Sequence, residues 1–358
     1  MPPARALACL IATGGTGGHV LPSLAVAEAL TARGVRVTFA GSPDRVEAQL
    51  VPEAGYALDT FSVRGLPRRP GLALLRSLAL VPGAVLACRR ILARRRPDVV
   101  LGGGGYVAGP MVAAAALSRI PAALMEADAH LGLANRLALP FAQRVFLAFP
   151  LPGREGQKFR VTGRPLPPRA RPLPRQEARR RLGLPEEGPV LLVLGGSQGA
   201  RSLNDLAVDA FGQGGPAVLH LCGQRDLARL HGRVRRPGYR LLAFTAEIGA
   251  ALSAADLALA RAGGSVYELA ACGTPAILVP YPHATGDHQL KNARYFERAG
   301  AAVVVPEAEI ERVPALVRDL LADGAALRSM SRAMRALARP RAADEIAEEL
   351  IALAAARR

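Results

Sequence analysis

Tryptophan is absent, and aromatic residues make up only 4% of the 358 residues. Stacking platforms for single-stranded nucleic acid are therefore scarce, and the arginines are not interleaved with Phe or Tyr, so no nucleic-acid partner is expected. Cysteine is equally sparse: Cys9, Cys88, Cys222 and Cys272 stand far apart. That spacing offers neither a zinc site nor a disulfide framework, and all four read as reduced core thiols of a cytosolic protein. No apolar run reaches the ~20 residues of a membrane span. The best attempt, 72–88, is broken by Arg76 and by Pro82-Gly83. The run 6–12 behind Arg5 is too short for a secretory signal and leads straight into glycines, which suits a first strand better. No D-x-D occurs, so neither a protein-bound metal nor another cofactor is expected. The first glycine loop lacks the G-x-G-x-x-G spacing, and no acid after the second strand suits a ribose, which argues against a nicotinamide dehydrogenase.

Acidic residues are also in deficit, 29 against 46 Lys and Arg, for a formal charge of +17. Such a field draws polyanions, whether nucleic acid, anionic lipid or phosphorylated substrates. GC-rich coding also produces arginine, so composition alone does not choose. With 50% hydrophobic residues and a length suited to two domains, each half can bury a core of Leu, Val, Ile and Ala. Apolar runs at 6–12, 35–40, 99–101, 121–125 and 144–147 alternate with helical stretches, the first helix beginning near Pro22. Near-continuous apolar strands between helices predict a parallel sheet covered on both faces. Prolines crowd 150–181, the best linker. Then the pattern restarts with strands at 190–194, 218–222, 239–244, 257–260 and 276–279 and a helix at 202–211. The expected domains are 1–162 and 163–340, with an amphipathic helix at about 341–358 packing back on the first.

Both halves open alike: strand, glycines with a hydroxyl residue, helix. In the first, Gly14, Gly15, Thr16, Gly17 and Gly18 precede His19. Glycines between a strand and a helix let the chain approach an anion, which the helix N-terminus then holds; a bare tight turn is the alternative. His19 is placed to act as a base, since imidazole titrates near neutral pH; capping or packing is the alternative. Gly195, Gly196, Ser197, Gln198 and Gly199 repeat the device. Further on, Gly263 and Gly264 lead into a helix whose first turn carries Glu268. That carboxylate can accept two ribose hydroxyls or simply favour the helix dipole. His288, Gln289 and Asn292 cluster after Asp287, and amides suit sugar hydroxyls; the alternative is a polar helix start capped by Asp287.

Taken in order, GGTGGHVLPSLAVAEAL, GGGGYVAGP, EADAHLGLANR, GGSQGARSLN, RAGGSVYELAACGTPAILVPYP and DHQLKNA resemble the MurG-type UDP-N-acetylglucosamine transferases over almost the whole chain. The resemblance implies an α/β GT-B fold, two Rossmann-like domains with parallel sheets facing a deep interdomain cleft, donor in the C-terminal one and lipid acceptor in the N-terminal one. It implies that Gly14, Gly15, Thr16, Gly17, Gly18, Tyr106 and Asp128 meet the acceptor diphosphate. His19 is implied as base, with Glu126 beside it in the catalytic set. The implied donor set is Gly196, Ser197, Gln198, Thr245, Gly263, Gly264, Glu268, His288, Gln289 and Arg164. Three positions depart from the family pattern. Asp128 replaces an Asn, Arg164-Pro165-Leu166-Pro167 replaces N-P-V-R, and His288 replaces the first of two glutamines.

The implied reaction is inverting transfer of GlcNAc from UDP-GlcNAc to the 4-hydroxyl of undecaprenyl-pyrophosphoryl-MurNAc-pentapeptide. The implied place is the cytoplasmic face of the bacterial inner membrane. The stretch from Leu72 to Arg96 fits a peripheral anchor: Leu74, Leu75, Leu78, Leu80 and Val81 are rimmed by Arg76, Arg89, Arg90 and Arg94 to Arg96. An ordinary core helix with a basic end is the alternative there. A related glycolipid transferase or a UDP-GlcNAc 2-epimerase is the second reading.

Overall fold

The computed structural model describes residues 5–63, 80–196 and 199–357. They divide into two compact units, Met1–Pro167 with Pro340–Arg358, and Pro168–Arg339. The boundary falls within the proline-rich stretch.

The first unit carries strands β1 (Ala8–Thr13), β2 (Arg36–Gly41), β3 (Leu58–Thr60), β4 (Val99–Gly104), β5 (Ala122–Glu126), β6 (Arg144–Leu147) and β7 (Phe159–Val161). They form one sheet in the order β3-β2-β1-β4-β5-β6-β7, with parallel pairing throughout. Its helices are α1 (Gly17–Thr31), α2 (Glu47–Glu53), α3 (Val81–Arg95), α4 (Ala108–Leu117) and α5 (Leu133–Ala138). Strand β1 explains the layering. Its side chains alternate between faces, and all of them are buried. Cys9 and Ile11 pack with Val20, Val26 and Leu30 of α1. Leu10 and Ala12 pack with Cys88 and Ile91 of α3 and Met111 of α4. A strand buried on both faces reads as a continuous apolar run.

The second unit repeats the plan with β8 (Val190–Leu194), β9 (Ala217–Leu221), β10 (Tyr239–Leu242), β11 (Leu257–Ala260), β12 (Ala276–Leu278) and β13 (Ala302–Val304). Its order is β10-β9-β8-β11-β12-β13, again parallel. Helices α6 (Arg175–Arg181), α7 (Arg201–Phe211), α8 (Gln224–His231), α9 (Ile248–Ala254), α10 (Ser265–Cys272), α11 (His288–Arg298), α12 (Val313–Ala322) and α13 (Gly324–Leu337) belong to it. The last helix, α14 (Ala342–Ala355), returns to the first unit. Its stripe of Ile346, Ala347, Leu350 and Ala354 completes the cluster around α1. Burying a Leu or Ile of this kind contributes about 1.5–3 kcal/mol. The ion pairs Arg33–Asp344 and Arg144–Glu349 are partly exposed and add little.

Several expectations change. Helix α1 begins at Gly17 rather than near Pro22, so Pro22 lies inside it. Proline has no N–H for the Gly18 carbonyl one turn back. The Arg164 guanidinium donates to that carbonyl instead, at 2.5 Å. Strand β4, expected at 99–101, runs on through Gly102 to Gly104. They are small because their neighbours press close: a Cβ at 102 would lie 2.8 Å from the Leu124 side chain of β5 and 3.0 Å from Val112 of α4, and one at 103 would lie 2.1 Å from Ser23 Oγ of α1. The expected linker 150–181 contains β7 and α6. Helix α6 is tied down by buried Arg179, which pairs with Asp256 at 2.7 Å and donates to the Ala254 carbonyl at 3.1 Å. Strands β3, β7 and β13 were not expected. Asp287 makes no cap; its own φ is +54° and its side chain bonds no backbone N–H.

Candidate active site

In parallel sheets all strands end at one edge, and ligands gather where the strand order reverses. In the first unit that point lies between β1 and β4, where Gly14 to His19 leave β1. A buried carboxylate shapes this loop from below. Glu47, in the first turn of α2, accepts the Gly15 N–H and the Ser42 N–H, each at 3.0 Å. Gly14 rests on that carboxylate, and a Cβ there would fall 2.2 Å from Glu47 Oε1. Tyr106 closes the side: its hydroxyl lies 3.1 Å from Ser42 Oγ, and its ring edge lines Gly15. Thr16 is the N-cap residue of α1, in extended conformation, and its carbonyl receives the His19 N–H at 3.0 Å.

His19 thus sits in the first helical turn. Its ring lies over Gly104, whose φ of +110° and missing side chain both matter, since a Cβ there would stand 2.5 Å from Nδ1. Ser23, one turn on, donates to the His19 carbonyl at 2.9 Å. The first N–H groups of a helix have no internal partner and attract an anion. The glycines, His19 and Tyr106 therefore converge on one small area.

Arg164 was expected with the donor residues. It belongs to the first unit, is buried, and its two terminal nitrogens hold the carbonyls of Gly18 and Ala127, the latter at 3.2 Å. It braces the His19 turn against the loop after β5. In that loop Glu126 is buried, and its carboxylate accepts from four groups: the N–H of Ala127 at 3.0 Å, Asp128 at 3.3 Å and Gly132 at 2.9 Å, and Asn135 Nδ2 at 3.0 Å. Burial pushes its pKa up to about 7, and these donors pull the other way. Both oxygens are occupied by the chain itself, so Glu126 shapes the loop and is not placed to take a proton from substrate. Asp128 is half-buried at the turn that Glu126 organises.

In the second unit the reversal lies between β8 and β11. Gly195 and Gly196 follow β8; Ser197 and Gln198 lie outside the described residues. Gly199, at φ +73°, donates to the Gly196 carbonyl at 3.0 Å and presses on β9, where a Cβ would be 2.3 Å from the Cys222 carbonyl oxygen. Helix α7 then starts without a side-chain cap. After β11, Gly263 and Gly264 accept the first turns of α10, where half-buried Glu268 stands. Gln289 Nε2 lies 4.0 Å from where a Gly263 Cβ would be, and its Oε1 accepts the Tyr281 N–H at 2.9 Å. His288 Nδ1 faces the Thr285 carbonyl at 2.9 Å. Thr245 Oγ1 accepts the Glu247 N–H at 3.1 Å, ahead of α9. Asn292, expected near sugar hydroxyls, is buried and holds the Ala262 carbonyl at 3.1 Å.

Two residues escaped the sequence reasoning. Glu47 carries no motif and lies 32 residues from the glycine it holds. Arg261, at the end of β11, is buried; it donates to Ser202 Oγ of α7 at 2.9 Å and to the Val279 carbonyl at 3.1 Å, pairs with Glu307, and stacks on Tyr281. It stitches the starts of three loops together. An arginine beginning the quoted R-A-G-G-S stretch was the available signal. Among the described residues no three His, Cys, Asp or Glu side chains gather as a metal site.

Residues 9–147 match the glycosyltransferase family 28 N-terminal domain, and 190–346 match the family 28 C-terminal domain. A relative from Acidithiobacillus ferrooxidans is 45% identical over 332 residues, 88% of this chain and 89% of its own. One from Rubrobacter xylanophilus is 42% identical over 334 residues, 91% and 98% of the two chains. Both are named UDP-N-acetylglucosamine–N-acetylmuramyl-(pentapeptide) pyrophosphoryl-undecaprenol N-acetylglucosamine transferase. The crystal structure of Acinetobacter baumannii MurG superposes with a TM-score of 0.79 at 28% identity, covering 97% of this chain and 100% of that one.

Proposed function

The chain belongs to glycosyltransferase family 28, and from that premise we propose that it moves GlcNAc from UDP-GlcNAc to the 4-hydroxyl of lipid-linked MurNAc-pentapeptide, a step of peptidoglycan synthesis that serves cell shape and division. The names carried by relatives at 42–45% identity support the reaction. Within the molecule the reading rests on one observation: a histidine in the first turn of a helix, beside a glycine loop at the switch point of a Rossmann-type sheet.

In this reading the acceptor diphosphate lies against Gly14 to Gly18, with Tyr106 and Asp128 at its sides. His19 takes the proton of the 4-hydroxyl as that oxygen attacks the anomeric carbon of the donor. The bond to the diphosphate breaks, UDP departs, and the new linkage is β. Charge growing on the departing diphosphate is met by the N-terminal N–H groups of α7, together with Gly196, Ser197 and Gln198. Glu268 receives the ribose hydroxyls, the amide at Thr245 meets uracil, and His288 and Gln289 read the GlcNAc hydroxyls. Arg164 and Glu126 hold the His19 turn and its neighbouring loop in place. The mechanism includes no protein-bound metal.

No helix among the described residues is long and apolar enough to cross a membrane. We place the enzyme peripherally on the cytoplasmic face of the inner membrane. Residues 64–79, which include most of the apolar anchor expected from sequence, lie outside the described residues. Leu80 and Leu86 of that stretch are 50% and 49% exposed, and Leu117, Leu133, Leu137 and Phe141 are exposed as well. Helix α4 packs on both α3 and α5, so these side chains are carried by neighbouring elements. Arg89 and Arg90 border them, as an anionic bilayer requires.

The deciding experiment incubates the enzyme with labelled UDP-GlcNAc and a lipid I analogue. Label in the disaccharide product with release of UDP is expected. Folded protein that consumes no donor, or that epimerises UDP-GlcNAc without an acceptor, refutes the proposal.

A further inference from the structure

We infer that the first unit carries a phosphate-binding pocket at the edge of its sheet remote from the glycine loop. A cavity of about 440 Å³ opens there, lined by Arg5, Arg89, Arg96, Asp98, Ser118 and Arg357 together with apolar surface from Leu92 and Ile120. Every lining residue belongs to the same unit. Arg5 lies shortly before β1, Asp98 directly precedes β4, and Ser118 caps α4 ahead of β5; Arg89 and Arg96 lie on and just past the end of α3, and Arg357 just past α14. The glycine loop follows β1, so the six residues of that strand separate the two places by roughly 20 Å at ~3.3 Å per residue. The pocket is therefore no part of the substrate loops.

Its charge is lopsided. Four guanidinium groups face a single carboxylate, and that carboxylate is engaged: Asp98 Oδ2 accepts the Ala8 N–H at 2.8 Å, tying the starts of β1 and β4. The arginines of helix α3 divide into two sets. Arg94 and Arg95 are both consumed by Asp59, each at 2.6 Å. Arg89, Arg96 and Arg357 have no carboxylate partner among the described residues. Arg5 donates to the Arg96 carbonyl, and Arg357 to the Pro97 carbonyl at 3.4 Å. Both side chains are thus drawn over the turn that forms the pocket floor. Arg96 ends α3 in a left-handed conformation, φ +48°, where Gly or Asn is the usual occupant. With one carboxylate among four guanidinium groups the pocket keeps a net positive charge, centred on Arg89, Arg96 and Arg357, and favours an anion between them. Their planar N–H pairs match the oxygens of phosphate. The volume admits a phosphate with a substituent, and the apolar wall accommodates carbon.

Two sources can supply that group: a soluble phosphate compound, or a phospholipid head at a membrane, since exposed Leu117 adjoins Ser118 and Leu86 lies one turn from Arg89. The test uses the full-length enzyme and the double variant Arg89→Gln/Arg96→Asn, with Asn chosen because it tolerates the left-handed backbone. Inorganic pyrophosphate is titrated calorimetrically with UDP saturating the donor site and a short-chain soluble acceptor saturating the glycine loop at 14–18. In parallel, sedimentation is measured with phosphatidylglycerol and with phosphatidylcholine vesicles. The variant is expected to bind pyrophosphate at least about tenfold more weakly, from two lost charge-assisted contacts. Loss of pyrophosphate binding alone supports a soluble source. Loss of pyrophosphate and of the phosphatidylglycerol preference together supports a lipid head. Pyrophosphate binding equal to wild type overturns the inference, even if vesicle binding falls, because the arginines then act only as diffuse surface charge. Wild-type enzyme that ignores phosphatidylglycerol vesicles counts against membrane docking, and the pyrophosphate arm still decides the pocket.

Discussion

The two glycine loops look like copies in sequence, yet they are held by different means. The loop after β1 is fixed by side chains from far along the chain: Glu47 beneath Gly14 and Gly15, Tyr106 beside them, Arg164 on the Gly18 carbonyl. Among the described residues, the flanks of the loop after β8 are held by backbone, with Gly199 bonded to Gly196 and wedged against the Cys222 carbonyl, and by one side chain, Arg261, on Ser202 Oγ. On the proposed reading the first loop positions a base, which needs its geometry set to a fraction of an ångström, and side chains from three distant parts of the chain over-determine it. A loop that receives a diphosphate on N–H groups needs chiefly a glycine backbone and a helix start.

The largest effect is expected at His19, the base proposed beside the first loop. His19→Ala should lower kcat by roughly 10²- to 10⁴-fold, the range of general-base catalysis, while UDP affinity stays within about threefold of wild type. A variant that turns over at the wild-type rate would remove His19 from the base role and the contrast between the loops with it.

Next come paired alanine substitutions. Gly14→Ala forces a Cβ onto the Glu47 carboxylate, and Gly199→Ala forces one onto a backbone carbonyl at positive φ. Each strains its loop by a few kcal/mol, which corresponds to about 10- to 100-fold in the affected parameter. Gly14→Ala should raise the acceptor KM and lower kcat, leaving the donor KM in place. Gly199→Ala should raise the donor KM first. If both variants shift the same parameter, the assignment of one loop to each substrate fails.

Much of this was legible in the sequence, and the exceptions have physical causes. The strands at 190–194 and 257–260 were readable to the residue because each is an apolar run buried on both sides, and the strand at 144–147 because three buried apolar residues follow Arg144. Strands β3 and β13 are three-residue strands, and the sequence L-D-T of β3 is mostly polar, its Asp59 being neutralised by Arg94 and Arg95. Helix α6 reads R-Q-E-A-R-R-R, with no apolar period to reveal it, because its anchor is the buried Arg179 pair with Asp256. The glycines and His19 were visible as a motif since backbone demands leave a mark on sequence. Glu47 and Arg261 were not, and Arg164 was visible only in another role, because a brace is defined by what it touches, and those partners lie up to 146 residues away.

The buried acid of the first unit sharpens the comparison at smaller scale. Glu126→Gln places an NH2 among four N–H donors, so at pH 7.5 the first unit should lose roughly 2 kcal/mol of stability, read by hydrogen exchange of β5 amides. An unchanged protection pattern would mean that the loop does not depend on this carboxylate.

The second unit buries its own titrating group, and here the pH dependence has a definite sign. His220 is fully buried between the Tyr239 hydroxyl at 2.8 Å and Asn204 Oδ1 at 2.9 Å. Burial lowers its pKa from 6.5 to about 4. The unfolded chain therefore takes up the proton first as pH falls. Stability from the neutral imidazole is complete above pH 6.5 and is lost progressively down to about pH 4. At pH 5 the loss is roughly 2 kcal/mol, from 1.36 kcal/mol per unit of separation. Glutamine at 220 keeps a donor and an acceptor without titrating in this window. Hydrogen exchange of the β8 and β9 amides in wild type should therefore accelerate between pH 7 and 5, beyond the intrinsic trend, by about 30-fold more than in His220→Gln. Equal acceleration in the two proteins would show that the acid sensitivity of the second unit comes from elsewhere, such as the Asp205–Arg229–Arg233 ion pairs on its surface.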